Sequence, residues 1–425
     1  MEKHIKERQK VITAAAWDDK SKYNEESLSE LNDLVDVAGG VVVGTATQTV
    51  RSFHPATLMG KGKLEEIRLA AETLGAELVI FDGELTGIQM REIEKALDLP
   101  VLDRTALILD IFASRARTDV GKLQVYLAQL EYGKTHLIGK KNYSRLGGGI
   151  GTRGPGEQKL EIDRRRINDD IMRTKRKLKR AQKVRDTGRK QRERSDIPSI
   201  AIVGYTNAGK SSLMNRMLRE SSAQGKEVYV EDMPFASLDP DTRRITLPGG
   251  LAVCVTDTVG FISNLPTTLI ESFHTTLEEL KDSDLIIHMI DGSEEDEGLR
   301  YETTQKLLSD LGVRDTPIIL FVNKADKMEH KKLPFLPSEH RVLYGSVRED
   351  PSIESLYAAI EEALKSKYVK VQMAFSYGEM HLVEEIKNRF PVEAFEYTHG
   401  GVELLATLPK VYLNRYEEQI RRRYV

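Results

Sequence analysis

The chain has 425 residues, enough for about three domains, and its hydrophobic content of 40% suffices for globular cores. Its single cysteine, Cys254, excludes a disulfide framework and a cysteine-built zinc site, and favours a reducing cytoplasm. The net charge of −3 indicates no class of partner, and no apolar run reaches the roughly 18 residues of a membrane span, so we expect a cytoplasmic protein with no integral membrane segment.

Residues 1–104 are predicted to form a small α/β subdomain. Apolar runs predict strands, and apolar residues at helical spacing predict the helices between them. In chain order these elements are Gly40–Ala46, Lys63–Leu74, Ala76–Phe81, Gln89–Leu97 and Pro100–Leu102. Because strands and helices alternate, we expect a parallel sheet.

Residues 105–196 are predicted to form a long antiparallel helical hairpin. One helical stretch covers Thr105–His136, with a break expected near Asp119–Gly121, and a second runs from about Glu157 to Arg194. Between them, Leu146–Gly156 is too rich in glycine to be helical. Apolar residues of the second helix recur at roughly the spacing of a coiled-coil seam: Ile167, Ile171, Leu178 and Ala181.

The hairpin region is strongly basic. Lys159–Arg194 contains 16 lysines and arginines against 6 aspartates and glutamates. Four further cations lie near the predicted tip: Lys140, Lys141, Arg145 and Arg153. Such a segment in a nearly neutral chain favours contact with a polyanion, although charge alone does not distinguish this from a solvated helix face.

A glycine-rich sequence after the apolar strand Ile200–Val203 has the spacing of a phosphate-binding loop and opens a helix. Its predicted nucleotide-binding residues are Gly204, Tyr205, Thr206, Asn207, Ala208, Gly209, Lys210 and Ser211. The glycines let backbone N–H groups surround phosphate oxygens, and Lys210 places a positive charge on the β- and γ-phosphates. The Ser211 hydroxyl is a candidate Mg²⁺ ligand.

A second motif ends the apolar strand Leu251–Thr256 and comprises Asp257, Thr258, Val259 and Gly260. Asp257 is expected to reach Mg²⁺, usually through water, and the Gly260 N–H to hold the γ-phosphate, so this loop would sense hydrolysis. Phe261 follows, and an aromatic ring cannot orient a water molecule by hydrogen bonding. The catalytic group is therefore unassigned: either another group orients the water, or hydrolysis is slow until a partner completes the site.

A third motif follows the strand Pro317–Val322 and comprises Asn323, Lys324, Ala325 and Asp326. A carboxylate placed like Asp326 accepts hydrogen bonds from the N1–H and 2-amino groups of guanine, and adenine lacks both donors. Backbone N–H groups of the loop containing Ser346 and Val347 would complete the base pocket. The three motifs together predict hydrolysis of GTP rather than use of ATP.

The residues alone leave one Mg²⁺ ligand open. A hydroxyl from Phe235–Arg244 is needed as the second protein ligand, and Ser237 and Thr242 both qualify. Related GTPases with an asparagine at the position of Asn207 can bind K⁺ near the α- and γ-phosphates. We therefore consider K⁺ as well as Mg²⁺ as a cofactor.

Three segments closely resemble the HflX-type GTPases, which belong to the Obg–HflX class of P-loop GTPases: Ser144–Ile167, Gly204–Leu213 and Phe235–Arg244. Gly44–Lys63 also fits the N-terminal domain of that family, so the resemblance spans nearly the whole chain. It implies a GTPase that binds the large ribosomal subunit and its RNA, and that splits stalled or idle 70S ribosomes under stress. The hairpin loop, within about Gly139–Gln158, would reach the peptidyl-transferase region, which makes the four tip cations candidate RNA contacts.

The resemblance also favours one switch hydroxyl. The family places it third in an F-A-T-L-D pattern, and Ser237 stands there instead of the usual threonine. We therefore rank Ser237 above Thr242 and take Ser211 and Ser237 as the Mg²⁺ ligands. This adds five residues to the predicted nucleotide site: Phe235, Ala236, Ser237, Leu238 and Asp239.

The predicted fold class is α/β, with a GTPase domain at 197–366 and a small α+β domain at 367–425 that reads strand, helix, strand pair, helix. We expect a monomer. One alternative is a tRNA-modifying, ribosome-assembly or other RNA-associated GTPase, although the tail has neither the reactive cysteine expected of the tRNA-modifying type nor the KH-type GxxG expected of the assembly type. Another is a switch acting on a protein partner, and a third is an ATP-driven activity at Gly60–Lys63, which lacks the phosphate-loop spacing.

Overall fold

The structure is a computed structural model, and the part of the chain that it describes comprises residues 8–18, 24–137, 155–193, 197–221, 241–258, 260–262, 280–293, 297–313, 316–328, 333, 336–337, 340–348 and 350–424. In the helix 155–193, side chains are described for 161–181. Described residues up to 183 form one compact unit, and those from 184 onward form a second.

The first unit contains a four-stranded parallel sheet flanked by helices, which confirms the predicted α/β class. Its elements are β1 (Gln9–Trp17), α1 (Glu25–Val37), β2 (Gly40–Thr49), α2 (Lys61–Leu74), β3 (Leu78–Phe81), α3 (Gly87–Leu97) and β4 (Val101–Asp103). The strand order is β2-β1-β3-β4, and β1 pairs with β2 from Gln9 opposite Gly40 to Trp17 opposite Thr49. The sequence did not predict β1 or α1, although β1 is an inner strand.

Two helices of this sheet, α1 and α3, have side-chain caps at their N-termini. The side chain of Asn24 accepts a hydrogen bond from Ser27 N, and Thr86 forms a capping box with Gln89. Each cap satisfies backbone donors that the first helical turn leaves unpaired. The α1 cap was a readable signal, because Leu28, Leu31 and Leu34 follow it at helical spacing and are buried.

The helical hairpin consists of α4 (Arg104–Arg115), α5 (Asp119–His136) and α6 (Pro155–Glu193). The break between α4 and α5 lies just before the predicted Asp119–Gly121. Thr118 caps the start of α5 by accepting a hydrogen bond from Gly121 N. Leu127 of α5 packs against Ile171 and Leu178 of α6, two members of the predicted seam. Lys175 also pairs with Glu131 across the two helices at 2.8 Å.

The second unit begins with a six-stranded sheet. Its elements are β5 (Ser199–Gly204), α7 (Lys210–Glu220), β6 (Asp241–Thr246), β7 (Ala252–Asp257), β8 (Leu285–Asp291), α8 (Glu297–Asp310), β9 (Ile318–Asn323), β10 (Arg341–Tyr344) and α9 (Asp350–Leu364). The strand order is β10-β9-β8-β5-β7-β6, and among the described strands of this sheet only β6 runs antiparallel to its neighbour. All three predicted motifs therefore begin at the same carboxyl edge of the sheet.

The chain ends in a small α+β domain, as predicted. It contains β11 (Tyr368–Ser376), α10 (Met380–Arg389), β12 (Val392–Thr398), β13 (Gly401–Pro409) and β14 (Ile420–Tyr424), in the antiparallel order β12-β13-β11-β14. The predicted final helix is wrong: Lys410–Tyr416 is a short 3₁₀ segment, and β14 follows it. Tyr416 is fully buried in the core of this domain, so burial rather than helical propensity decides the local structure.

None of the described helices is both long enough and apolar enough to cross a membrane.

Candidate nucleotide-binding site

The phosphate-binding loop is shaped by left-handed backbone at three positions. The φ angles are 146° at Gly204, 63° at Asn207 and 96° at Gly209. A Cβ added to Gly204 would lie 2.3 Å from the Met289 carbonyl oxygen, and one added to Gly209 would lie 2.3 Å from Asn323 Nδ2. Only glycine fits at either place, so the loop can wrap closely around a bound group.

Lys210 begins α7, and its side chain turns back under this loop. Its Nζ donates hydrogen bonds to the carbonyl oxygens of Gly204 at 3.0 Å and Tyr205 at 2.7 Å. Burial lowers the pKa of Lys210 to about 8, against the raising effect of the Asp257 carboxylate. An anion bound beside this amine would favour its charged form. The position of the amine beneath the loop therefore suits the binding of a phosphate group.

Two side chains with oxygen atoms that could bind a metal ion meet beside Lys210, one from α7 and one from β7. The Ser211 hydroxyl donates to Asp257 Oδ2 at 2.6 Å, and Asp257 is completely buried at the end of β7. A hydroxyl and a carboxylate are hard ligands of the type that Mg²⁺ prefers. The donor set therefore fits a magnesium ion.

The segment after Asp257 is bonded directly to the phosphate-binding loop. Thr206 N donates to the Phe261 carbonyl at 2.8 Å, and Phe261 N donates to the Gly204 carbonyl at 3.1 Å. A Cβ added to Gly260 would lie 3.0 Å from Lys210 Nζ. Gly260 therefore lies directly against the phosphate-binding loop and Lys210, whereas the Phe261 side chain is buried and packs in the interior.

Asn323 joins the phosphate side of the site to the predicted base side. Its Nδ2 donates to the Ala208 carbonyl at 2.9 Å, and its Oδ1 accepts from Val347 N at 3.0 Å. Asn323 is 4% exposed, so both bonds are shielded from water. One side chain thus fixes the spacing between the phosphate-binding loop and the loop containing Ser346 and Val347.

Asp326 lies on the open side of this arrangement. The preceding Lys324 adopts a left-handed conformation, with φ of 59°, and its amine lies 2.6 Å from Asp291 Oδ2 at the end of β8. Ala325 N donates to the Gly345 carbonyl at 3.0 Å. The turn is therefore held on both sides, while the Asp326 carboxylate is exposed.

Several predicted residues lie outside the described part of the chain: Phe235, Ala236, Ser237, Leu238, Asp239, Val259, Lys140, Lys141, Arg145 and Arg153. Their roles stay predictions. Thr242, the rival of Ser237, lies on β6 with its hydroxyl oxygen 2.9 Å from that of Thr256 on β7. It is thus engaged in pairing between strands.

Sequence reasoning missed three residues that support the site. Asp291 ends an apolar strand just as Asp257 does, and that position was a readable signal. Arg300 of α8 places its guanidinium 4.9 Å from the centre of the Tyr205 ring, and buried Arg216 of α7 donates to the Val347 carbonyl at 2.7 Å. Neither arginine belongs to a recognisable spacing, because both act through the tertiary fold.

Three family models match consecutive parts of this chain. Their descriptions are GTP-binding GTPase N-terminal for residues 25–113, GTP-binding GTPase Middle Region for residues 115–192, and 50S ribosome-binding GTPase for residues 199–324. The third match covers the phosphate-binding loop and the first two residues of the base-side motif, Asn323 and Lys324.

Curated relatives match over almost the full length. GTPase HflX of Caldanaerobacter subterraneus subsp. tengcongensis is 43% identical, over 96% of this chain and 92% of the relative. GTPase HflX of Lacrimispora saccharolytica is 41% identical, over 96% of this chain and 95% of the relative. A GTP-binding protein of Sulfolobus solfataricus, solved with GDP, is 24% identical over 84% of this chain and 99% of its own, with a TM-score of 0.45.

Proposed function

This chain belongs to the HflX family of GTPases, and we propose that it binds the large ribosomal subunit in its GTP form and separates stalled or idle 70S ribosomes under stress. The observation that carries the proposal is the match of residues 199–324 to the family of 50S ribosome-binding GTPases. The contacts between Gly260, Phe261 and the phosphate-binding loop support a site that changes with the state of the nucleotide.

The residues of the site divide the work of hydrolysis. The loop N–H groups and Lys210 would hold the phosphates and oppose the negative charge that develops during transfer. To do so, the Lys210 amine exchanges its bonds with the Gly204 and Tyr205 carbonyls for phosphate oxygens. Phe261 supplies no hydrogen bond to an attacking water from its ring, so intrinsic hydrolysis is expected to be slow until the ribosome completes the site.

Magnesium would be held by the Ser211 hydroxyl, by Ser237 and, through water, by Asp257. When bound, this ion neutralises charge on the β- and γ-phosphates. Ser211 must then release its hydrogen bond to Asp257. We propose Mg²⁺ as the required cofactor.

Guanine would be recognised on the other side of Asn323. The exposed Asp326 carboxylate would accept from the N1–H and 2-amino groups, and the N–H groups near Ser346 and Val347 would face the rest of the base. An adenine there would leave the carboxylate without the two donors that guanine offers, which is why selectivity is expected to be strong.

A potassium ion is a second candidate cofactor. Asn207 lies at the turn of the phosphate-binding loop in a left-handed conformation. A cation there would supply the positive charge that an arginine finger supplies in other GTPases. We expect faster hydrolysis in K⁺ than in Na⁺ and loss of that difference in Asn207→Ala, and equal wild-type rates in the two salts would contradict it.

The helical hairpin is the proposed contact with ribosomal RNA. The exposed cations of its described helix are Arg164, Arg165, Arg166, Arg173, Lys175, Arg176, Lys177, Lys179 and Arg180. Only part of this charge is neutralised locally, for example where Lys175 pairs with Glu131 and Arg173 with Asp170. Phosphate contacts by such a surface would make binding fall steeply with salt.

The test is a sucrose gradient of 70S ribosomes with the full chain and GTP, GDP or a non-hydrolysable GTP analogue. The analogue should support splitting but trap the protein on the large subunit, because binding rather than hydrolysis separates the subunits. Deleting residues 146–156 should leave GTP binding intact and weaken ribosome binding. A chain that binds free large subunits and never splits 70S ribosomes would instead be the assembly-type or RNA-associated GTPase.

A further inference from the structure

We propose that Arg216 is a positioning residue for guanine selectivity, acting through the loop that contains Ser346 and Val347. The proposal deepens the GTPase function and rests on the assignment of this loop to the base pocket. Arg216 lies on α7 and is 4% exposed, so its guanidinium is committed to partners inside the protein.

The two peptide groups that flank Val347 are held by different elements. Val347 N donates to Asn323 Oδ1 at 3.0 Å, which fixes the peptide on one side. The Val347 carbonyl accepts from the Arg216 guanidinium at 2.7 Å, which fixes the peptide on the other side. Since a loop that reads a base through its backbone depends on the direction of its N–H groups, both anchors bear on recognition.

Arg216 is itself held in place by a second contact. Its Nε lies 2.8 Å from Glu220 Oε1, and Glu220 Oε2 accepts from the Tyr357 hydroxyl at 2.5 Å. Tyr357 is buried on α9, the helix into which the loop leads. Arg216 therefore orients the middle of the loop, while its acidic partner ties the same arginine to the element that follows the loop.

The energetic argument favours orientation over general stability. A buried arginine is costly to desolvate, and an apolar side chain of similar size often stabilises a core equally well. A charge-assisted bond to one carbonyl is short and directional, which suits a group that must set a peptide plane. The same helix begins at Lys210, so α7 contacts both the phosphate site and the base-side loop.

The experiment compares GDP and ADP binding by the full-length wild type, Arg216→Met, Tyr357→Phe and the exposed control Arg219→Met. ADP uses the phosphate site without the correct base contacts. In Arg216→Met the preference for GDP over ADP should fall about tenfold, because a charge-assisted bond is lost while the phosphate contacts remain. In Tyr357→Phe it should fall about threefold, since Arg216 loses only its support. Arg219→Met should keep the wild-type ratio.

A folded Arg216→Met that keeps the wild-type ratio, or that binds GDP and ADP equally more weakly, would overturn the proposal. If Arg216→Met does not fold, Tyr357→Phe decides in the same way. Asp326→Asn separates this outcome from failure of the pocket assignment. Unchanged GDP affinity in Asp326→Asn refutes the pocket itself, whereas weakened affinity there with an unchanged ratio in Arg216→Met refutes only the positioning role.

Discussion

The parallel N-terminal sheet and the mostly parallel six-stranded sheet place similar polar residues at their carboxyl edges but use them differently. In the N-terminal sheet, Asp82 follows β3, Asp103 ends β4, and both are buried. Arg104 donates to Asp82 at 2.8 Å and to the Ser27 carbonyl at 3.0 Å, and also pairs with Glu30. Asp103 accepts from Leu85 N and Ala106 N. These side chains thus bond to one another and to nearby backbone groups.

In the six-stranded sheet, by contrast, the side chain of Lys210 lies against the backbone of the phosphate-binding loop. The Lys210 amine donates to the carbonyl oxygens of Gly204 and Tyr205, and these bonds can be exchanged for phosphate oxygens. The Gly60–Lys63 sequence of the other sheet merely forms the start of α2, where Lys63 pairs with Glu66 and Gly60 N donates to Gln48. The polar strand ends of the six-stranded sheet thus differ from those of the N-terminal sheet in lying beside the glycine-constrained phosphate-binding loop.

The largest expected effect is on catalysis, and it comes from removing Lys210, the lysine beneath the phosphate-binding loop. Lys210→Ala should lower GTP hydrolysis about a thousandfold, since the Lys210 amine bonds to the Gly204 and Tyr205 carbonyls beneath the loop and would oppose the charge on the phosphates. Phosphate release at saturating GTP is the measurement, and the exposed Lys306→Ala is the control. Retention of more than about a tenth of the activity would show that the loop alone supplies the charge stabilisation.

Arg104→Met tests whether the polar groups of the N-terminal sheet are structural. Removing the guanidinium leaves Asp82 buried without its counter-charge, so the free energy of unfolding should fall by about 3–5 kcal/mol. Arg91→Met, which breaks the partly exposed pair with Glu92, should cost less than about 1 kcal/mol. Calorimetric unfolding of both variants is the measurement, with GDP affinity expected to stay at the wild-type value. Equal losses of unfolding free energy in the two variants would show that the buried contacts of Arg104 stabilise the fold no more than the partly exposed pair of Arg91 does.

Asp326→Asn tests the guanine-binding side of the proposed nucleotide site. The affinity for GTP should fall about a hundredfold, because the side-chain amide donates where the carboxylate accepted. Xanthosine triphosphate, whose base accepts at the corresponding edge, should bind the variant better than GTP does. Competition against a fluorescent nucleotide measures both, and Asp310→Asn on α8 is the matched control. Wild-type affinity for GTP in Asp326→Asn would refute the assignment.

These variants also mark the boundary of what sequence could reveal. Spacing located the phosphate-binding loop because the close approaches at Gly204 and Gly209 permit only glycine. It could not find Arg216, since 131 residues separate it from the Val347 carbonyl. It also missed β1, whose run of three alanines has weak strand propensity and which becomes a strand by pairing with β2 and β3. Caps and glycine constraints are local, whereas these contacts exist only in the folded chain.

The smallest expected effect is a proton taken up on binding. The pKa of Lys210 is lowered to about 8 in the nucleotide-free fold, and a bound phosphate favours the charged amine and so raises it. GDP binding at pH 8 should therefore take up about half a proton, and affinity should fall as the pH rises above 8. Titration calorimetry at pH 8 in buffers of different ionisation enthalpy measures this uptake. Equal heats would contradict it, and Lys210→Arg should abolish the uptake because arginine stays charged.

The position of the only tryptophan gives the molecule a built-in optical reporter. Trp17 is the last residue of β1, lies opposite Thr49 in the N-terminal sheet and is half-buried. The GTPase and C-terminal parts contain tyrosines but no tryptophan. Indole fluorescence therefore arises from one unit alone, without any label. A change in its emission when GTP is added would measure communication from the nucleotide site to the N-terminal unit, and an unchanged spectrum would show that the two respond independently.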